Sequence, residues 1–237
     1  MTGVGLPKRF YKDVAVTDGD GGWHVTLDGK TMRTPAKGDF VVPGRSLADA
    51  IAEEWRAQGE HIQPETMPLT KLVNSAVDGA RGREAAVTDD IMGHAASDLL
   101  FYRADTPDGL VARQTQYWDP VTAWARDDFS APFMRGEGVM PIDQPQGSLD
   151  RLRAQLAGLD AFGLTALHVM TTLSGSALLA LAVAVGRLTP EEAWKAAHVD
   201  EDWQISQWGE DAEAAARRER RWRDFAAAAR MLKLLKD

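Results

Sequence analysis

The chain contains no cysteine. Disulfides, thiolate zinc sites and a cysteine nucleophile are thereby excluded. Histidine is scarce as well: the five lie at 24, 61, 94, 168 and 198, and no two stand at the helical spacing of a metal-ligand pair. There is no His-Glu-x-x-His and no glycine-rich phosphate loop ending in Gly-Lys-Ser/Thr, and Thr172-Leu173-Ser174-Gly175-Ser176 is not a nucleophile elbow. No catalytic residue, metal or cofactor is therefore expected, although a carboxylate pair that meets only in the fold stays open. Positive charge is in deficit, 27 Lys and Arg against 35 Asp and Glu, for a net charge of −8. That balance argues against a nucleic-acid partner and suits a soluble chain or a partner offering positive charge. Met1 to Arg9 has neither the apolar core of a signal peptide nor the character of a transit peptide, so a cytoplasmic location is expected.

What is present is an ordinary globular composition, 44% hydrophobic and 26% charged over 237 residues, enough for one large domain or two small ones. The first forty residues predict β structure with tight turns. Phe10 to Thr17 is one strand, closed by the turn run Asp18 to Gly22. Asp18 and Asp20 have the start of a calcium loop but not its later ligands, so a turn is expected. Trp23, Val25 and Leu27 alternate with His24 and Thr26, and Asp28-Gly29 predicts a hairpin returning through Lys30 to Thr34. Pro35 and Pro43 bracket a further segment around Phe40-Val41-Val42. Ser46 is a predicted N-cap, with Leu47, Ile51 and Trp55 on one helical face and Gly59 as the stop. Met67-Pro68-Leu69-Thr70 opens a second short helix.

Three of these segments carry a resemblance: Leu27-Asp28-Gly29-Lys30 with Thr34-Pro35, Ile51-Ala52-Glu53-Glu54-Trp55 with Gln58, and Met67-Pro68-Leu69-Thr70 with Leu72. In this order they resemble the ATP synthase assembly chaperones that hold the free alpha subunit of the catalytic sector before it joins beta.

After Gly79-Ala80-Arg81-Gly82 the pattern turns helical, and the domain boundary is expected there. Val87, Ile91, Ala95 and Leu99 form one stripe. Thr106-Pro107-Asp108-Gly109 predicts a turn, and Asp119-Pro120 a break or bend before Val121, Trp124 and Ala125 pack inward. Gly136 to Gln146 reads as a loop, followed by a helix capped by Ser148 with a seam of Leu149, Leu152, Leu156 and Leu159. Ala161 to Gly186 holds no Asp, Glu, Lys or Arg and is long enough for a bilayer. Its Thr, Ser and His content, and the lack of a flanking basic cluster, favour one central buried helix over a membrane span. His168 is then expected as a hydrogen-bonded core imidazole.

Thr189-Pro190-Glu191-Glu192 predicts a capping box. The helix it opens is expected to run to Gly209, with Trp194, Ala197, Glu201, Ile205 and Trp208 on one face. From Lys195 to Arg217 the chain carries six acids, Asp200, Glu201, Asp202, Glu210, Asp211 and Glu213, and no intervening Lys or Arg. The usual reading of such a run is a solvated helix end. Trp203 and Trp208 beside it favour a protein-binding surface, with rings for burial and charges for steering. A buried, unpaired Glu201 would cost on the order of several kcal/mol, so it needs an internal Arg or a basic group of a partner. The last helix turns from acidic Glu210, Asp211 and Glu213 to basic Arg217, Arg218, Arg220, Arg221 and Arg223, matching its dipole.

The resemblance extends through Val199-Asp200-Glu201-Asp202-Trp203-Gln204 to Trp208-Gly209, where the family carries Leu-Glu-Glu, a variable residue, an aromatic and Gln, and later Trp-Gly. This chain has Val199 for the Leu and Asp200 for the first Glu. The fold expected is α+β: a small β-rich domain over residues 1–82 and an all-helical domain over 83–237. The resemblance implies a non-enzymatic, monomeric chaperone that binds the unassembled alpha subunit, with Glu201, Asp202, Asp200, Trp203 and Glu210 as partner-binding residues. No nucleic acid and no membrane insertion are expected. The alternatives are a membrane-associated assembly factor and a hydrolase built on a carboxylate pair.

Overall fold

The computed structural model describes residues 5–138 and 140–237. The leader considered for Met1 to Arg9 falls in part on residues 1–4, outside the described residues. Strands β1 (Val14–Gly19), β2 (Gly22–Leu27) and β3 (Lys30–Thr31) form an antiparallel meander, and β4 (Val41–Val42) pairs with Trp23 and His24 of β2. The hairpin turn lies where the sequence places it. Asp28 and Gly29 both take positive φ, 50° and 77°, as a two-residue turn requires. The first strand starts at Val14 rather than at Phe10, because the N–H groups of Lys12 and Asp13 donate to the Asp28 carboxylate at 2.9 and 2.8 Å. Those bonds hold the Asp28 carboxyl below the usual range.

Helix α1 (Arg45–Arg56) buries Leu47, Ala48, Ile51 and Ala52 against the sheet. It starts after extended Gly44, so Ser46 lies inside the first turn rather than capping it, and it ends before Gly59. Trp55 is half-buried, 5.4 Å from the Tyr11 ring, and its carbonyl accepts from the Tyr11 hydroxyl at 2.8 Å. Helix α2 (Pro68–Ser75) has proline in its first turn. Glu54, reaching across from α1, accepts from the N–H groups of Leu69 (2.7 Å) and Thr70 (2.8 Å) and from the Thr70 hydroxyl (2.7 Å). A wide π turn over Ala76–Ala80 then leads to Gly82, at φ 76°.

Helix α3 (Glu84–Ala96) buries Ile91, Met92 and Ala95. Next come β5 (Tyr102–Arg103), α4 (Asp108–Phe129), β6 (Gly136–Glu137) and α5 (Gln146–Leu156). Three expectations are corrected here. Helix α4 runs through Pro120 without ending, since Trp118, Val121, Trp124 and Ala125 bury on both sides of the proline and outweigh one lost backbone bond. Within the predicted loop, Gly136 and Glu137 pair in parallel with β5. Ser148 lies inside α5, not at its cap, and its hydroxyl donates to the Pro132 carbonyl at 2.5 Å.

The charge-free stretch forms two helices, α6 (Ala161–Ser174) and α7 (Ala177–Ala184), where one was expected. Gly175 turns left-handed at φ 72°, and the Ser176 hydroxyl accepts from the Leu179 N–H at 3.0 Å to start α7. Most of both helices is buried, with α6 packed against α3, α7 and the last helix. Among the described residues no helix is long and apolar enough to cross a membrane. His168 is not a core imidazole: it is partly exposed and meets Asp90 Oδ2 at 2.5 Å. The predicted capping box forms, with Thr189 Oγ1 accepting from the Glu192 N–H and the Glu192 carboxylate accepting from the Thr189 N–H. It opens α8 (Pro190–Ala197), which is followed by α9 (Val199–Trp208) and α10 (Ala212–Leu234). The buried face of α10, through Phe225, Ala228 and Met231, lies along α6 and reaches α2 and α1. The architecture is a small strand-bearing head followed by a helical body.

Candidate functional site

The acidic run does not lie on one long helix. The chain breaks at His198 (φ −115°, ψ 22°), where side chains bond the last carbonyls of α8. Two carbonyls at the end of α8 are taken by side chains: Ala196 O accepts from the Trp118 indole at 2.7 Å, and Trp194 O accepts from His198 Nδ1 at 2.7 Å. Helix α8 closes with a long, three-residue bond of 3.3 Å from His198 N to Lys195 O, and α9 starts at Val199. His198 is buried, and burial pushes its pKa down despite the bond to the Trp194 carbonyl. Gly209, at φ 87°, ends α9, and Asp211 caps α10 by accepting from the Ala214 N–H at 2.8 Å.

Helix α9 is fixed on two sides. Toward α4, Asp200 accepts from Gln114 Nε2 at 2.7 Å, while Gln114 Oε1 accepts from the Ala104 N–H at 2.8 Å. Trp203 rests on Gly109 so closely that a Cβ there would come within 2.5 Å of the ring, and the Arg113 guanidinium covers it at 5.1 Å. Toward α10, Arg218 donates to Asp202 at 2.5 Å. Three of the five predicted site residues thus hold the helix in place as well as edging its surface.

The other two face outward. Glu201 has 58% of its side chain exposed, and the buried His198 imidazole lies 3.9 Å away through Nε2, with its charged form disfavoured by burial. The apolar stripe expected to carry it does not exist, because the break at His198 resets the helical phase, so Glu201 has no buried-charge penalty to offset. Glu210 is exposed at an open cleft of about 640 Å³ between α8 and α10, shared with Glu191, Glu219 and Trp222 and with the cations Lys195 and Arg218. The cleft wall is aromatic, with Trp194 and Trp222 5.6 Å apart and Phe225 next to both. Trp208, at the last turn of α9, is 75% exposed. Sequence reasoning misses Glu191 and Glu219 as cleft residues. Glu191 reads as part of the capping box, and only the packing of α8 on α10 brings Glu219 beside it. No group of three or more His, Asp or Glu gathers at metal-binding distance among the described residues.

An open surface of aromatic rings and charged side chains is suited to contact with another protein, and comparison gives the class. A family model described as ATP12 chaperone protein matches residues 8–126, so the molecule is a chaperone. Solved structures agree across almost the whole chain. Atu1473 from Agrobacterium tumefaciens is 51% identical, with a TM-score of 0.94 over 97% of this chain and 87% of that one. Atp12 from Paracoccus denitrificans is 41% identical, with a TM-score of 0.91 over 97% and 98%. The mitochondrial protein atp12 of Schizosaccharomyces pombe is 25% identical over 214 residues, 85% of this chain and 74% of that protein. The chain belongs to the ATP12 chaperone family.

Proposed function

We propose that this ATP12-family chaperone serves assembly of the F-type ATP synthase by binding the unassembled alpha subunit of the catalytic sector. It covers the subunit-facing surface of alpha until beta joins. The observation that carries the surface assignment is Trp208, exposed by 75% between outward-facing Glu201 and Glu210. A large exposed ring, with exposed carboxylates before and after it in the chain, supplies burial on docking, and the charges supply steering and register. Asp200, Asp202 and Trp203 edge the same surface and set the angle at which α9 presents it. Masking a sticky assembly surface needs no turnover, so the action is non-enzymatic. The protein acts as a cytoplasmic monomer, with residues 1–82 and 83–237 as its two domains.

The test is co-elution with isolated alpha subunit on a sizing column, wild type beside Glu201→Lys and Trp208→Ala. A complex formed by wild type and lost in both folded variants supports client and surface together. Survival of the complex in both variants moves the interface elsewhere, and no complex with folded alpha subunit removes the client assignment.

A further inference from the structure

The molecule has a second recessed surface of the opposite sign. Three hollows of about 340, 270 and 390 Å³ follow one another along α4, α8 and the end of α7. The first two share Gln116, Tyr117 and Lys195, and the second and third share Arg187, Leu188 and Glu192, so they form one groove. Its floor is apolar, with Val121 and Trp124 4% and 6% exposed. Its walls are cationic: Arg113, Lys195, Arg187 and Lys233 line it in that order. None of these four has a carboxylate within 4.0 Å among the described residues, and Arg113 and Lys195 lie over the rings of Trp203 and Tyr117. The two carboxylates that touch the groove are already engaged, Glu192 in its capping box and Asp202 with Arg218. On a chain of net charge −8, four cations without carboxylate partners along an apolar channel set up a local field opposite to that of the whole molecule.

We propose that this groove is a second docking site, and that its occupant is an acidic amphipathic segment of another protein. Leucine- or phenylalanine-sized side chains enter the hollows, and carboxylates along one edge meet Arg113, Lys195, Arg187 and Lys233. Charge complementarity selects the sign of the partner, and the apolar floor selects its other face. The floor is recessed between helices, which a protruding side chain can reach and a flat headgroup layer cannot. The groove adjoins the acidic surface at Asp202 and Lys195 and runs away from it along α8 to Arg187 and Lys233, and its occupancy does not depend on the identity of the client assigned there.

The experiment is fluorescence anisotropy with a labelled peptide of alternating leucine and glutamate at helical spacing, beside the same peptide with lysine for glutamate. The acidic peptide binds saturably, and the basic one at least about tenfold more weakly. The protein variant Arg187→Glu with Lys233→Glu weakens the acidic peptide by about tenfold or more, as does about 0.5 M salt. Both side chains are exposed, so the circular dichroism spectrum and melting temperature stay unchanged; Arg187→Gln with Lys233→Gln gives a milder loss in the same direction. Equal binding of the two peptides, or an affinity unmoved by the charge reversal, overturns the proposal. So does co-sedimentation with phosphatidylglycerol vesicles in the absence of peptide binding, which would make the groove a membrane contact.

Discussion

Replacing Asp98 by asparagine should change how the stability of this protein depends on pH. Asp98 is fully buried where α3 gives way to the turn at Leu99, and its two oxygens accept from the N–H groups of Leu100 and Leu178, each at 3.0 Å. It thereby ties that turn to the start of α7. Burial raises its pKa from 3.8 to about 6, against the pull of those N–H groups. From pH 3.8 to about pH 6 the folded chain keeps a proton that the unfolded chain has released. The stability from this group is therefore full below pH 3.8 and is lost as pH rises through about 6. The whole difference is worth about 3 kcal/mol, of which about 1 kcal/mol lies between about pH 7 and pH 5. The amide of the variant does not titrate, so wild type minus Asp98→Asn cancels the opposite contributions of exposed carboxylates such as Asp28 and Asp90, whose pKa values are lowered. Urea unfolding followed by tryptophan fluorescence should show the difference growing by about 1 kcal/mol from about pH 7 to pH 5. A constant difference would refute the reasoning by showing that the two N–H bonds fully compensate burial. A shrinking one would show that they exceed it.

Three further outcomes follow from the same structure. Glu54→Gln replaces one carboxylate oxygen at the start of α2 by an N–H donor facing other donors, and should cost about 1–3 kcal/mol in urea unfolding. Gly109→Ala places a methyl group within 2.5 Å of the Trp203 ring, so α9 must shift; near-ultraviolet circular dichroism should change, with a loss of about 1–3 kcal/mol. A double-mutant cycle of Asp202→Asn with Arg218→Met should return a coupling of about 1 kcal/mol that fades in salt, because both side chains keep a quarter to a third of their exposure. A coupling near zero in low salt would separate α9 from α10 and with it the argument that this pair orients the surface.

Local chemistry makes much of the fold legible. The hairpin at Asp28-Gly29 needs only two residues tolerant of positive φ, and the start of α8 needs only Thr, Pro and Glu at fixed offsets, so both stand where the sequence puts them. The break between α6 and α7 is also signalled, since Ser174-Gly175-Ser176 combines a left-handed stop with a cap. It is hidden when the apolar content on either side is weighed as one run. Serine gives the opposite error. Ser46 and Ser148 look like caps, but the helices begin earlier, and the Ser148 hydroxyl serves a distant carbonyl at Pro132.

The candidate site is legible in composition and not in geometry. An acidic, tryptophan-bearing run is visible in the chain, but its orientation depends on the break at His198, where no proline or glycine stands. At that break the Trp118 indole, 78 residues upstream, donates to the Ala196 carbonyl, a contact that no local pattern reveals. A helical wheel drawn through Trp194 and Trp208 therefore points Glu201 inward, where it would need a buried partner, while the folded chain turns it to solvent. The same break lets Asp200 and Asp202 reach Gln114 and Arg218 on opposite sides of α9. Charges that composition cannot tell apart thus divide into two that fix the helix and two, Glu201 and Glu210, turned to solvent. In the docking role proposed for it, a surface fixed by those two bonds is ordered in advance, which lowers the ordering cost of docking.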